Sequence, residues 1–342
     1  MTSRQRHIGA SALPGLASAA LLALTILSCA SIRAARPSVD VVLLRTLKGH
    51  TDKVLSVAFH PAGTILASAG LDDSILFWDV ESGELLRSIK AHPDDIFEVA
   101  YSPDGAVVAS ASRDATVRLW DSASGELVRT LEGHSEPVAC LAFSPLGDIL
   151  ATGSADLSIR LWNCKTGELI NVLTGMTRTP NALTFSPDGV YVVAGSSDEL
   201  MRRWRVEDFG LDQVYRKQDR VYSVAYAPDG SFIVSGDREG TVRFWSAEDG
   251  ALQRTLEAQP KKPPGSLQGV WALDISPDGK LLLTGGWTSL WKLWAVENLN
   301  MATAVRTEFG DVNDGRFSRD GRLLALAFTE KTVRIYQVVP RE

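Results

Sequence analysis

The sequence predicts an all-β protein made of seven units of four short strands, and three observations support this prediction. A pattern of 42 residues recurs, because Trp78, Trp120 and Trp162 follow one another at that interval and a histidine precedes each of them by 28 residues. Residues 116–120 alternate between polar and apolar side chains, which is typical of a half-buried strand. Turn sequences such as Ser-Pro-Asp-Gly at residues 102–105 separate the predicted strands. A period of this length indicates a repeat architecture.

Composition and charge limit the functions that this chain can have. Of its 342 residues, 45% are hydrophobic and 22% are charged, which suits a folded protein and not a disordered one. The net charge of −6 disfavours the phosphate backbone, so no nucleic acid is expected as a partner. The three cysteines lack zinc-ligand spacing. Cys140 is expected to be a buried thiol, with a disulfide to Cys164 as the alternative.

The N-terminal segment, residues 1–29, is predicted to be a signal peptide or a membrane anchor. Arg4 and Arg6 make a basic start, and residues 8–32 carry no charge, as in a secretory signal. The sequence Ile-Leu-Ser-Cys ending at Cys29 resembles the lipobox of bacterial lipoproteins, which implies lipidation of this cysteine. An uncleaved anchor is an alternative, because 25 uncharged residues can span a bilayer core of about 30 Å. An ordinary cleaved signal is another.

These readings predict a location in the cell envelope, either lipid-anchored or exported, with an N-terminally anchored membrane protein as the alternative. In each case the N-terminal segment carries the rest of the chain across a membrane or attaches it to one. Residues 30–40 are expected to be a linker, and residues 41–339 contain the repeats. The first strand, residues 43–47, stands before any complete unit and matches residues 127–131, which follow a complete unit. It is therefore a strand without a pairing partner in a unit of its own.

The first three units are regular, and the last four depart from them. The sixth is longer than the others by an insertion predicted at residues 258–266, and the seventh ends in Tyr336 in place of tryptophan. Further departures concern the polar positions that repeat in the first three units. The fourth unit has Met176 at the histidine position and Ala194 at the serine position, and the fifth has Asp219 at the histidine position. At the aspartate position, the fifth, sixth and seventh units have Glu239, Thr288 and Glu330. We expect these units to be less completely hydrogen-bonded.

Together, the Gly-His and Trp-Asp pairs at this separation resemble the WD-repeat (WD40) family over about 300 residues. The resemblance implies a seven-bladed β-propeller of four-stranded blades around a central channel. It also implies that the strand at residues 43–47 completes the last blade and closes the ring, which removes open sheet edges. The expected function is that of a non-enzymatic, monomeric scaffold that binds a protein or peptide partner.

The resemblance also assigns a hydrogen-bonded tetrad to each of the first three blades. In each tetrad the buried tryptophan N–H donates to a hydroxyl, the hydroxyl donates to a histidine, and the histidine donates to an aspartate. The predicted tetrads are His50, Ser68, Asp72 and Trp78; His92, Ser110, Asp114 and Trp120; and His134, Thr152, Asp156 and Trp162. A set that repeats three times is not a catalytic triad. No other catalytic or phosphate-binding motif is present, so we expect no catalytic, cofactor-binding or metal-binding residues.

Partner binding in this family commonly uses the face that carries the histidine loops. Binding hot spots favour Trp, Tyr and Arg. On the positions that the resemblance places on this face, the candidate partner-binding residues are Phe97, Arg113, Tyr222, Arg238, Trp271 and Trp287. Packing beneath the sixth-unit insertion is the alternative role for the two tryptophans. The alternative function is an enzyme or small-ligand binder that uses the mouth of the central channel.

Overall fold

The computed structural model describes residues 39–341, with gaps at residue 217, residues 261–268 and residue 309. The predicted signal or anchor with Cys29, the linker up to residue 38 and the predicted insertion from Lys261 onward lie outside the described residues. In the part of the chain that is described, no helix is long and apolar enough to cross a membrane. The secondary structure of these residues consists of β-strands joined by turns.

The strands form seven antiparallel sheets of four, which we number as blades one to seven in chain order. In blades one to six, four consecutive strands pair in sequence. Their bounds are β2 Val54–Phe59, β3 Ile65–Gly70, β4 Ser74–Asp79 and β5 Leu85–Lys90; β6 Ile96–Tyr101, β7 Val107–Ser112, β8 Val117–Asp121 and β9 Leu127–Leu131; β10 Val138–Phe143, β11 Ile149–Ser154, β12 Ile159–Asn163 and β13 Leu169–Leu173; β14 Pro180–Phe185, β15 Tyr191–Ser196, β16 Met201–Arg205 and β17 Leu211–Tyr215; β18 Val221–Tyr226, β19 Phe232–Asp237, β20 Thr241–Ser246 and β21 Leu252–Glu257; β22 Val270–Ile275, β23 Leu281–Gly286, β24 Leu290–Ala295 and β25 Met301–Arg306.

Blade seven combines the two ends of the described chain. Its strands are β26 (Val312–Phe317), β27 (Leu323–Phe328), β28 (Thr332–Pro340) and β1 (Val39–Lys48), and β1 pairs antiparallel with β28. The predicted closing strand is thus confirmed, although it is longer than the pattern indicated. Since β1 supplies the outermost strand, the ring closes with both ends hydrogen-bonded in one sheet.

The first strand of every blade lies innermost and contacts the first strands of both neighbouring blades. Each of these strands has a β-bulge after its first residue, and such bulges re-aim a side chain. The seven extra residues are Leu55, Phe97, Ala139, Asn181, Tyr222, Trp271 and Asn313. All seven line one central channel with a volume of about 820 Å³. The bulges therefore form the mouth of the channel.

Apolar side chains between adjacent blades form the core. One cluster, for example, joins Val57 and Trp78 of blade one to Ile335 of blade seven. Trp291, which the repeat pattern did not explain, is fully buried and lies edge-on to Tyr336, with ring centroids 4.9 Å apart. Both cysteines in the described part of the chain are free, and Cys140 is fully buried. Each blade is thus stabilised mainly by its neighbours in the ring.

Candidate interaction face

The tetrad of blade one ties its turns to its core. The His50 Nδ1–H donates to Asp72 over 2.8 Å, and the His50 Nε2 accepts from the Ser68 hydroxyl over 2.7 Å. The Ser68 oxygen in turn accepts the indole N–H of Trp78 over 2.8 Å. Burial acts to raise the pKa of Asp72, but the bonds from His50 and from the backbone outweigh it and hold this pKa below its usual value. The carboxylate therefore stays charged and keeps its donors.

Blades two and three repeat this geometry. The histidine-to-aspartate distances are 2.9 Å for His92 and 2.8 Å for His134, and Ser110 and Thr152 link these rings to their tryptophans. Burial lowers the pKa of both His92 and His134, so these imidazoles are neutral near pH 7. A neutral ring held between a hydroxyl and a carboxylate is a structural link, and it presents no nucleophile at the surface.

In three of the later blades, an arginine replaces the histidine as the partner of the carboxylate, which the sequence interpretation missed. Blade four has Met176 at the histidine position, and the Arg202 guanidinium lies 2.9 Å from the Asp198 carboxylate. Blades five and seven have the corresponding pairs Arg243–Asp237 and Arg334–Glu330. Each of these arginines stands two residues before the tryptophan or tyrosine of its blade. The carboxylate is therefore neutralised from the strand instead of from the loop.

Two assignments of the later blades were wrong. The histidine position of blade five belongs to Gln218 and not to Asp219, because the Ser235 hydroxyl donates to the Gln218 amide oxygen over 2.8 Å. A neutral amide tolerates this buried place, whereas the Asp219 carboxylate turns outward to Arg238. The carboxylate of blade five is supplied by Asp237, and the predicted Glu239 is exposed.

The predicted insertion of blade six also begins later than expected. Gln259, which was assigned to it, is buried and occupies the histidine position of this blade. Its amide oxygen accepts the hydroxyl of Thr288 over 2.8 Å. An amide and a hydroxyl thus replace the charged pair, because both can be satisfied in a buried place without a net charge.

Three of the predicted partner-binding residues form an aromatic stack at the channel mouth. The rings of Tyr222 and Trp271 are 4.0 Å apart at an interplanar angle of 16°, and those of Trp271 and Trp287 are 5.2 Å apart at 12°. All three side chains are half-buried and line the channel. Gly269 makes this arrangement possible, since its φ is +137° and a Cβ there would lie 2.9 Å from the Tyr222 ring.

The other predicted residues lie beside charged partners. Arg238 adjoins the stack across Gly269, and its guanidinium makes two hydrogen bonds to Asp219, of 2.9 and 3.1 Å. Phe97 also lines the channel, and the Arg113 guanidinium lies over its ring at 5.5 Å from the centroid. The structure therefore brings Tyr222, Arg238, Trp271 and Trp287 into one patch and keeps Phe97 with Arg113 as a second cluster.

Charged residues inside the channel were not foreseen from the sequence. The Arg316 guanidinium lies 3.3 Å from Glu98 and 3.4 Å from Asp314, and Asp274 lines the same channel. Burial raises the pKa of Glu98 to about 7 and that of Asp274 to about 6, although the charge of Arg316 opposes both shifts. A charged residue in an otherwise apolar innermost strand is the signal that would have found them.

Within the described residues, one group of side chains has the spacing of metal ligands, namely Asp73, Asp94 and Asp95. Two of its carboxylates already have cationic partners, because Lys90 lies 2.9 Å from Asp73 and Arg113 lies 2.9 Å from Asp95. This group is accounted for by those ion pairs, so it adds nothing to the channel mouth as a candidate site.

Comparisons with known proteins agree with this architecture. The model of the family described as IFT122 first β-propeller matches residues 114–341, two thirds of the chain. The model described as WD domain, G-beta repeat matches residues 41–79 and 83–121. The chain is also similar to the probable cytosolic iron-sulfur protein assembly protein CIAO1 homolog of Ixodes scapularis, with 55% identity over 40 residues. That match covers 12% of this chain and 13% of the relative, about the length of one repeat.

Proposed function

The chain belongs to the IFT122 first β-propeller family, and from this premise we propose that it is a non-enzymatic scaffold that binds a protein or peptide partner. WD40 propellers typically bind protein partners, and the partner site proposed here is the face with the histidine loops. The observation that carries the proposal is the stack of Tyr222, Trp271 and Trp287 at the channel mouth. Its rings are half-buried in a place where the repeat needs no aromatic residue.

Two features of this patch support a binding role. Stacked aromatic rings present a large, rigid apolar surface that loses little conformational entropy when a partner binds. The exposed Arg238 beside them adds a polar rim, and its guanidinium is already oriented by Asp219. An apolar centre with a polar rim is the usual anatomy of a protein interface. We propose that the Phe97–Arg113 cluster extends the same interface across the channel.

The variant Trp271→Ala/Trp287→Ala tests this proposal. We expect it to weaken capture of the partner by about thirtyfold or more, because a buried aromatic hot spot contributes about 2 kcal/mol or more. The measurement is affinity capture by the tagged full chain, with bound polypeptides identified by mass spectrometry. Leu85→Ala is the matched control, since Leu85 is an exposed apolar residue on an outermost strand. Equal capture by all three proteins would exclude this patch as the partner site.

We also propose that the protein resides in the cell envelope, attached through lipidated Cys29. The support is the basic start, the uncharged segment and the lipobox-like sequence of the N-terminal residues. Fatty-acid labelling should be lost in Cys29→Ser and kept in Cys164→Ser. Retained labelling of Cys29→Ser contradicts lipidation, and the mass of the mature N-terminus then separates an exported protein from one with an uncleaved anchor. The closed ring uses a single chain, so we propose a monomer.

A further inference from the structure

The interior of the channel is asymmetric below its mouth. Three residues after the bulge residue, about 10 Å deeper at the usual rise of a strand, each innermost strand contributes one side chain to the lumen. Five of these side chains are small, namely Ala58, Ala100, Ala142, Thr184 and Ala225. The other two are Asp274 of blade six and Arg316 of blade seven. At this level the lumen is therefore lined by small side chains beside blades one to five.

The charges in the lumen are not balanced. Glu98, Asp274 and Asp314 supply three carboxylates, against two arginines, Arg316 among them and the exposed Arg319 in the turn after β26. Arg316 forms ion pairs with Glu98 and Asp314, and its charge also opposes the rise in the pKa of Asp274 that burial causes. Asp274 accepts a hydrogen bond of 2.8 Å from the backbone N–H of Phe317. Among the ion pairs of the described residues, none joins Asp274 to a cation, and Asp274 lines the channel.

The path from the mouth to Asp274 is lined by the aromatic stack. Trp271 lies on the same strand as Asp274, three residues before it, and Tyr222 stands on the neighbouring strand above Ala225. A side chain that enters here would pass the two rings and meet the carboxylate about 10 Å below. This path suits a long side chain with an apolar stem and a cationic end.

We propose that the channel receives an arginine side chain of the partner, whose stem lies against Trp271 and Tyr222 and whose guanidinium pairs with Asp274. The inference rests on the proposed function and specifies the chemistry of the partner. Charge complementarity selects a cation, because the lumen carries an excess of negative charge. Arginine is favoured over other cations because its flat guanidinium makes two parallel bonds to a carboxylate.

A titration of the full chain with N-acetyl-L-arginine amide tests the inference, with tryptophan fluorescence and calorimetry as readouts. We expect saturable binding that is about tenfold or more weaker for the uncharged citrulline analogue, because a hydrogen bond to a charged group is lost. Asp274→Asn keeps the acceptor for the Phe317 N–H and should weaken arginine binding to a similar degree. Asp73→Asn removes a carboxylate outside the channel and should leave binding unchanged.

Equal binding of the arginine and citrulline compounds, or binding of neither, would overturn the inference. Capture of the partner by the full chain distinguishes this outcome from a failure of the proposed function. Suppose that Trp271→Ala/Trp287→Ala loses the partner, while Asp274→Asn keeps it and the arginine amide does not compete. The scaffold role is then supported, and insertion of an arginine into the channel is excluded. Competition by the arginine amide together with loss of capture by Asp274→Asn supports both.

Discussion

Replacement of Thr152 by valine is expected to lower the free energy of unfolding by about 2–4 kcal/mol. The Thr152 hydroxyl accepts the indole N–H of Trp162 and donates to His134, each over 2.8 Å. Valine has nearly the same shape, so it leaves no cavity, but it leaves a buried N–H and a buried ring nitrogen without partners. The loss is therefore that of desolvated polar groups and not of packing.

The measurement is chemical denaturation followed by circular dichroism, with Thr152→Ser as the matched control. Serine keeps the hydroxyl, as Ser68 and Ser110 do at the same position of blades one and two, and loses one methyl group. Its cost is expected to be about 1 kcal/mol. If valine destabilises the protein no more than serine does, the tetrad is not a source of stability.

The variant Arg202→Met is expected to lower the free energy of unfolding by about 3–5 kcal/mol, because it strands a buried carboxylate. The side chains of Arg202 and Asp198 are only 7% and 3% exposed, and the guanidinium also contacts the Met176 sulfur. Blade four has no histidine to take the place of the arginine. The unpaired Asp198 must then be protonated or hydrated, and both outcomes cost free energy.

Two controls make this result specific. Arg118→Met changes the same position of blade two, where His92 already binds Asp114 and Arg118 lies 3.9 Å away, so a loss of about 1 kcal/mol is expected. The double variant Arg202→Met/Asp198→Asn removes the stranded charge and should recover much of the stability. A single variant as stable as the wild type would show that the Arg202–Asp198 pair does not replace the tetrad.

The repeat made most of the fold predictable. The 42-residue interval between Trp78, Trp120 and Trp162 fixes the number of residues per blade, and a strand with no unit before it needs a partner elsewhere in the chain. The resemblance to WD-repeat propellers implied that this partner lies in the last blade, and β1 pairs with β28 there. The resemblance also selected Phe97, Tyr222 and Trp271 as face residues, and the structure places them at the bulges of their innermost strands.

Substitutions that change the chemistry of a position could not be predicted from spacing. Asp219 and Gln218 are neighbours, and only the direction of their side chains decides which one is buried. An arginine stands two residues before the tryptophan in both blade two and blade four. It is the close partner of the carboxylate only in blade four, because Met176 there takes the place of the histidine and makes no ion pair. The lumen charges come from different blades, so no single repeat reveals that Glu98 and Arg316 meet.

The shared sheet of blade seven has a consequence for how the chain is synthesised. The strand Val39–Lys48 leaves the ribosome early, but its partner Thr332–Pro340 emerges only after nearly 300 further residues. Blades one to six can pair from local segments during translation, whereas the ring waits for the last strand. Joining ends so far apart costs roughly 5 kcal/mol of chain entropy. The ring can therefore close only after residues 332–340 have been synthesised, and a chain that stops before blade seven exposes the flanks of blades one and six.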